Sequence, residues 1–292
     1  MNCLSPLTLK NPRFGKLKPN SVDPEPRFLE VPCGKCAACL MSYRRDWIVR
    51  LKKEADFSAY SVFVTLTYAD EFIPACGVSK EDVQAFFARL RDKLKKRYGI
   101  KVRYYITSEY GPTTYRPHYH ALLFFDGFVP EIGDILLEAW QRGFVYVGTV
   151  ESRSIGYCAS YHITKGGYPR GKNKPFVLMS RRPGIGDKYL RNESTLHYHL
   201  PRLQGFDSDP VFSVPVGDGI SCHMPRFYRD KLFSQEEIEQ YKTDVRAQLE
   251  TSLYGVKKSD YKSSQDYFRV VDSRIRAYLR YFDKMKVRNH KL

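Results

Sequence analysis

The sequence predicts an α+β fold: a central antiparallel β-sheet with flanking helices, a basic Cys-rich segment before it and a charged helical tail after it. Three observations carry this. Four stretches, YSVFVTLTY (60–68), KVRYYITSEYG (101–111), RPHYHALLFFDG (116–127) and GFVYVGTVE (143–151), are rich in β-branched and aromatic residues, the composition of strands. The second and third are separated only by a turn through Gly111, Pro112 and Thr113, too short for a parallel crossover, so they form an antiparallel hairpin. Helix-period segments lie between the other strands, which gives the order strand, helix, hairpin, helix, strand, helix.

Residues 1–30 are Pro-rich and basic and read as an extended arm. Helical spacing begins near Met41, with Trp47, Ile48 and Leu51 facing inward and Arg44, Arg45, Lys52 and Lys53 outward. SKEDVQAFFARLRDKLKKRYG opens with a capping box at Ser79 and Asp82. It repeats Val83, Phe86, Phe87, Leu90 and Leu94 on one face and stops at Gly99. SIGYCASYHITKG (154–166) reads as a helix ended by Gly166 and Gly167. From about 166 to 230 the chain is rich in Gly, Pro and Arg with few clear elements, and from Ser234 to about 285 it is charged and helical. The expected domains are 1–55 (arm, Cys-rich motif and helix), 56–230 (the sheet domain) and 231–292 (the helical extension).

The 292 residues carry 48 Lys plus Arg against 32 Asp plus Glu, a net charge of +16. So basic a surface points to a polyanion, and nucleic acid is the default partner, because each neutralised phosphate releases a condensed counterion. Aromatic residues make up 14%, including 22 Tyr, which suits stacking on unpaired bases as well as a core. The N-terminus has no apolar segment of signal-peptide length and no stretch approaches a membrane span, so no membrane partner is expected. Seven cysteines in a reducing compartment stand as thiols or metal ligands rather than disulfides.

The chemistry concentrates around PHYH. In a strand, residues i and i+2 share a face, so His118 and His120 stand side by side with Tyr119 turned away. The hairpin turn brings Glu109 back beside them. Two imidazoles and a carboxylate make a divalent cation site with coordination positions left for phosphate oxygens. Downstream, Tyr157, Tyr161 and Lys165 are spaced by four and share a helix face, while Ile155, Ala159 and Ile163 supply another face to bury. A tyrosine hydroxyl can attack phosphorus, with a metal polarising the phosphate and a lysine balancing charge.

VTLTY, then PHYH with an upstream Glu, then Tyr-x-x-x-Tyr-x-x-x-Lys, resembles the rolling-circle replication initiators of the HUH endonuclease superfamily. VPCGKCAAC, SEYG…RPHYHALLF and FVLMSRRPGIGDKYL are similar to the replication initiation proteins of the gokushovirus group of microviruses, small single-stranded DNA bacteriophages. The resemblance runs from about Cys3 to about residue 230. It implies an HUH-type sheet, Glu109, His118 and His120 as ligands of Mg²⁺ or Mn²⁺, Tyr157 and Tyr161 as a nucleophile pair and Lys165 as the motif lysine. The activity it implies is nicking and rejoining of single-stranded origin DNA through a 5′-phosphotyrosine. The setting is the cytoplasm of a bacterial host, with the host's helicase and DNA polymerase as partners. Cys-Ala-Ser stands between the tyrosines, where related initiators often carry a basic residue before the second one.

Two further motifs remain. Cys33, Cys36 and Cys39 form C-x-x-C-x-x-C, and with Cys3 as a fourth thiolate (Cys222 and His223 are the other candidates) they would make a structural Zn²⁺ site. Arg170, Lys172, Lys174, Arg181, Arg182 and Lys188, interspersed with glycines, form a candidate DNA-backbone surface. GGYPRGKN is not a phosphate loop: Asn173 stands where a Ser or Thr is needed, and KPFV rather than a helix follows. The rival readings are a non-catalytic zinc-stabilised nucleic-acid-binding protein, and an HUH transposase or relaxase.

Overall fold

The computed structural model describes residues 3–17, 24–161, 168–205, 208–253 and 256–288, the side chains of 246–253 and 286–288 excepted. In chain order its elements are β1 (Leu7–Lys10), β2 (Phe28–Val31), α1 (Ala37–Asp56), β3 (Tyr60–Tyr68), α2 (Lys80–Tyr98), β4 (Val102–Tyr110), β5 (Pro117–Phe125), α3 (Ile132–Trp140), β6 (Gly143–Thr149), α4 (Ser152–Ser160) and β7 (Val177–Met179). There follow α5 (Asp187–Leu190), α6 (Glu193–His199), β8 (Ser213–Gly217), β9 (Ile220–His223), α7 (Arg226–Leu232), α8 (Gln235–Thr251), β10 (Ser252–Leu253), β11 (Val256–Lys257) and α9 (Ser264–Arg288). The chain forms two compact units, one of Trp47–Leu196 with Val214–Cys222, the other of the N-terminal segment to Asp46, His197–Ser213 and the chain from His223.

The first unit is built on a five-stranded antiparallel sheet in the order β6-β3-β5-β4-β7. One face carries Val62, Val64, Leu66 and Tyr68 of β3 and Tyr119, Ala121, Leu123 and Phe125 of β5, packed with the apolar sides of α2 and α3. On the other face Tyr105, Leu122 and Phe124 pack with Trp47 and Leu51 of α1 and Ile155, Cys158 and Ala159 of α4. With both faces covered, the central β5 has no solvent side to make polar, hence its unbroken run Ala121–Phe125.

α2 begins at Ser79, whose hydroxyl accepts from the Asp82 amide at 3.0 Å, and ends at Gly99, left-handed at φ 68°. Val83, Phe86, Phe87, Leu90 and Leu94 are its buried face. The Asp82 carboxylate accepts from the buried Tyr68 hydroxyl at 2.9 Å.

α1 departs from expectation. It starts at Ala37 rather than near Met41, and its basic residues are not all outward. Lys53 is 8% exposed, its ammonium 3.3 Å from Asp56 and set over the Tyr189 ring. Arg44 is half-buried, and burial lowers its pKa. A long side chain can lay its methylenes on apolar surface and still bring its charge to a partner. Glu54, fully buried, accepts from Arg103 Nε and the Gly186 amide, each at 2.5 Å.

In the second unit β1 and β2 pair antiparallel, and Phe212 stacks on Phe233 and Tyr241 at 4.1 and 4.0 Å between centroids. The tail is not one helix: β10 and β11 form a small antiparallel pair between α8 and α9. Among the described residues no helix is long and apolar enough to cross a membrane.

Candidate metal and nucleophile site

Antiparallel register sets the site. Glu109 of β4 lies opposite His118 of β5, and Thr107 opposite His120. On the other side His118 faces Thr67 and His120 faces Thr65 of β3. The ligand-capable atoms of Glu109, His118 and His120 lie within 4.8 Å of one another, and the imidazole rings are 5.0 Å apart. Tyr119 turns to the opposite face, where its hydroxyl contacts Tyr68 at 2.8 Å and the Ser79 amide at 2.7 Å.

Each imidazole is held from behind. His118 Nδ1 is 3.1 Å from the Arg116 carbonyl, which can only accept, so Nδ1 carries the proton and the Nε2 lone pair turns toward Glu109, 3.9 Å away. His120 Nδ1 meets the Thr65 hydroxyl at 3.0 Å, and Phe63 stacks on its ring with planes 7° apart. Burial, with His118 as a second cause, lowers the His120 pKa to about 3, so the imidazole is neutral and its electron pair is available. Backing of this kind orients metal-ligating histidines. Two neutral imidazoles and a carboxylate converging on one point suit a divalent cation, and three donors leave positions for further oxygens.

Tyr157 of α4 completes the group. Its hydroxyl donates to Glu109 Oε2 at 2.6 Å, and its ring is 4.8 Å from that of His120. Burial, then the Glu109 charge, raises its pKa well above the ordinary phenol value. Glu151 caps α4 by accepting from the Ser154 amide, while the Ser154 hydroxyl takes the Glu151 amide. Tyr161 sits just past the helix with right-handed helical backbone; burial and then the Glu109 charge raise its pKa also. Ile155 and Ala159 are buried as expected, but the described helix ends at Ser160. Ile163, Lys165, Gly166 and Gly167 lie outside the described residues.

Of the expected DNA-backbone residues, Arg170, Lys172, Lys174, Arg181 and Arg182 are exposed, whereas Lys188 is half-buried and donates to the Phe57 carbonyl at 3.3 Å. The loop from 168 is anchored through Asn173, which donates from its side chain to the Val78 carbonyl and accepts from the Tyr110 hydroxyl. It leads to β7, not to a helix.

Cys3, Cys33, Cys36 and Cys39 form a second group of potential ligands. Cys3 Sγ is 3.5 Å from Cys33 Sγ and 3.8 Å from Cys36 Sγ. Four thiolates around a tetrahedral Zn²⁺ at about 2.3 Å would be about 3.8 Å apart. Backbone amides of Lys35 and Cys36 point at Cys33 Sγ, and that of Leu4 at Cys36 Sγ. Although burial opposes it, amide donation carries the Cys36 pKa down to about 6; burial raises Cys39 to about 12. Cys222 and His223 are not in the group.

Sequence reasoning missed Thr65, Phe63 and the Arg116 carbonyl. The alternation of β3 was the available signal for the first two, since it puts Phe63 and Thr65 on the face opposite Val62 and Val64.

The fold and the Glu-His-His-Tyr group coincide with a recognised class. A family model for the replication-associated protein ORF2 matches residues 61–166, the stretch that holds the sheet core, both histidines and both tyrosines. The chain is 24% identical to the replication-associated protein VP4 of Bdellovibrio phage phiMH2K, over 94% of this chain and 90% of the relative. It is 30% identical to the replication-associated protein ORF2 of Spiroplasma virus 4, over 55% of this chain and 57% of the relative. It is 27% identical to the replication-associated protein ORF4 of Chlamydia phage 1, over 83% and 63%. Together these likenesses support a replication initiator of the gokushovirus type. No solved structure matches the chain significantly.

Proposed function

We propose that the protein initiates rolling-circle replication by nicking and rejoining single-stranded origin DNA, with tyrosine as nucleophile. The observation that carries this reading is the Tyr157 hydroxyl at 2.6 Å from Glu109, beside two histidines whose free nitrogens converge on the same carboxylate. Glu109, His118 and His120 would hold a divalent cation, Mg²⁺ or Mn²⁺. Bound there, the cation polarises a phosphate oxygen.

The chain's own residues do the rest. Tyr157 is delivered to the reacting phosphate by a capped helix and held neutral until substrate arrives. Its oxygen forms the new bond to phosphorus as the bond to the 3′-oxygen breaks. The phenolic proton leaves, and the departing 3′-oxygen gains one, so the products are a 5′-phosphotyrosine and a 3′-hydroxyl. Tyr161, one turn on, is the second nucleophile for the closing transfer, and the phosphotyrosine conserves the bond energy. Lys165 balances charge. The exposed Arg170, Lys172, Lys174, Arg181 and Arg182, with Lys188, hold the DNA backbone, and host helicase and polymerase extend the primer. The four cysteines hold a structural Zn²⁺.

The test is incubation with Mn²⁺ and labelled single-stranded DNA tiled across the replicon's origin region, followed by a denaturing gel. A DNA-linked band is expected that requires metal, disappears with His118→Ala or His120→Ala, and is lost for one transfer with Tyr157→Phe and for the other with Tyr161→Phe. Cleavage with no linked band would overturn the tyrosine assignment. Binding with neither would leave a non-catalytic nucleic-acid-binding protein.

A further inference from the structure

On the sheet face that carries the histidines, the edge strand β6 presents two large aromatic side chains, Phe144 and Tyr146, 65% and 67% exposed. Register ties them to the site. Thr67 of β3 lies opposite Phe144 on one side and His118 on the other, and Thr65 lies opposite Tyr146 and His120. The rings are two residues apart, so their attachment points are about 6.7 Å apart along one face. An exposed aromatic pair on an edge strand contributes little to folding.

Beside them is a cleft of about 410 Å³ lined by Phe63, Thr65, His120, Tyr146 and Tyr157, with Glu151 at its polar side. His120 and Tyr157 belong to the reacting group, so the cleft is continuous with it. Its occupant is limited by charge. Glu151 keeps a carboxylate there, engaged by the Thr149 hydroxyl at 2.7 Å and the Ser154 amide, and an anion repels phosphate. Aromatic rings accept the flat face of a base whatever its sequence.

We infer that this cleft and the Phe144–Tyr146 pair form a nucleobase subsite, which takes the bases beside the scissile phosphate out of the stack. The inference builds on the nickase reading for the position of that phosphate. Stacking here would fix which phosphodiester reaches Tyr157, so Tyr146 and Phe144 are positioning residues.

The test separates binding from chemistry. Fluorescein-labelled octanucleotides of dA, dC and dT are titrated by anisotropy against the full chain without added Mg²⁺ or Mn²⁺. Oligonucleotides carrying 2-aminopurine at successive positions are read by fluorescence. Tyr146→Ala and Phe144→Ala should each weaken binding about tenfold or more, while Tyr146→Phe stays within about twofold of wild type. 2-Aminopurine should be quenched by wild type and Tyr146→Phe but not by Tyr146→Ala. Wild-type affinity and quenching in both alanine variants would overturn the inference even if the covalent adduct forms. An equal loss in Tyr146→Phe and Tyr146→Ala would overturn it too, since the hydroxyl and not the ring would then be at work. Ring-dependent binding with no adduct would sustain the subsite and sink the nickase.

Discussion

Thr65 shows how a site depends on a side chain that performs no chemistry. Its hydroxyl, 3.0 Å from His120 Nδ1, fixes the imidazole so that Nε2 is the nitrogen left over. Thr65→Val keeps the shape and removes the bond. Loss of such backing costs about 10–100-fold in metal affinity, so Mn²⁺ binding followed by electron paramagnetic resonance should weaken by that order while the melting temperature stays nearly constant. Unchanged Mn²⁺ affinity would mean that the ring is held by packing on Phe63 alone. On the opposite face Tyr119 makes a separate pH prediction. Burial is the main cause that pushes its pKa up to about 12, whereas the unfolded phenol ionises near 10. A folded-state pKa above the unfolded one stabilises fully below pH 10 and is lost as pH rises toward 12. In that window the unfolded state releases the proton first, and stability should fall by up to about 1.4 kcal/mol per pH unit for this group. Denaturant titrations of Tyr119→Phe should show a shallower decline between pH 10 and 12. A parallel decline would place the loss elsewhere.

Elements are fixed by what their ends and buried faces require, and two positions expose this. At Gly143, φ is 144°, and an added Cβ would lie 2.2 Å from the Ala69 nitrogen and 2.5 Å from the Thr67 carbonyl oxygen. Gly143→Ala must therefore pull the start of β6 from β3, at a cost of at least about 2 kcal/mol, seen as a lowered urea midpoint. A midpoint within error of wild type would show that the backbone there yields cheaply. Glu54 is the buried clasp between α1, β4 and the Gly186 turn, and Glu54→Ala leaves both Arg103 and the Gly186 amide without their acceptor. About 3–5 kcal/mol should be lost in the same titration. Arg103→Ala should cost at least as much, because it strands a carboxylate that is fully buried. A loss under about 1 kcal/mol for either would mean that water can take the missing partner's place. These cases also mark what was legible in the sequence. α2 could be read residue by residue because its cap, apolar period and terminal glycine agree. The hairpin register followed from a short turn, and with it the meeting of Glu109, His118 and His120. α1 was read too short and too polar outward, because a Lys or Glu that finds a buried partner looks the same in a sequence as one in water. β10 and β11 went unseen because two-residue strands have no period, and Cys3 became the fourth cysteine of its group only through folding across thirty residues.

At the scale of the whole molecule, the +16 charge sets how DNA affinity responds to salt. Each phosphate neutralised on a single strand contributes about −0.7 to the slope of log affinity against log salt. Arg181 and Arg182 are exposed beyond β7, and Arg181→Ala with Arg182→Ala should make the slope shallower by about 1.4 if both hold phosphates. Lys188, half-buried and donating to the Phe57 carbonyl, should leave the slope nearly unchanged when replaced by Ala. Tyr146→Ala should do something different again: it should lower affinity at every salt concentration without changing the slope, because stacking releases no counterions. Anisotropy titrations of one labelled oligonucleotide from about 50 to 300 mM NaCl distinguish the three behaviours in a single experiment. A slope unmoved by the arginine pair would take the loop off the path of the DNA and leave the strand to the sheet face. A slope that also fell with Tyr146→Ala would mean that the aromatic edge orders the backbone contacts rather than adding to them.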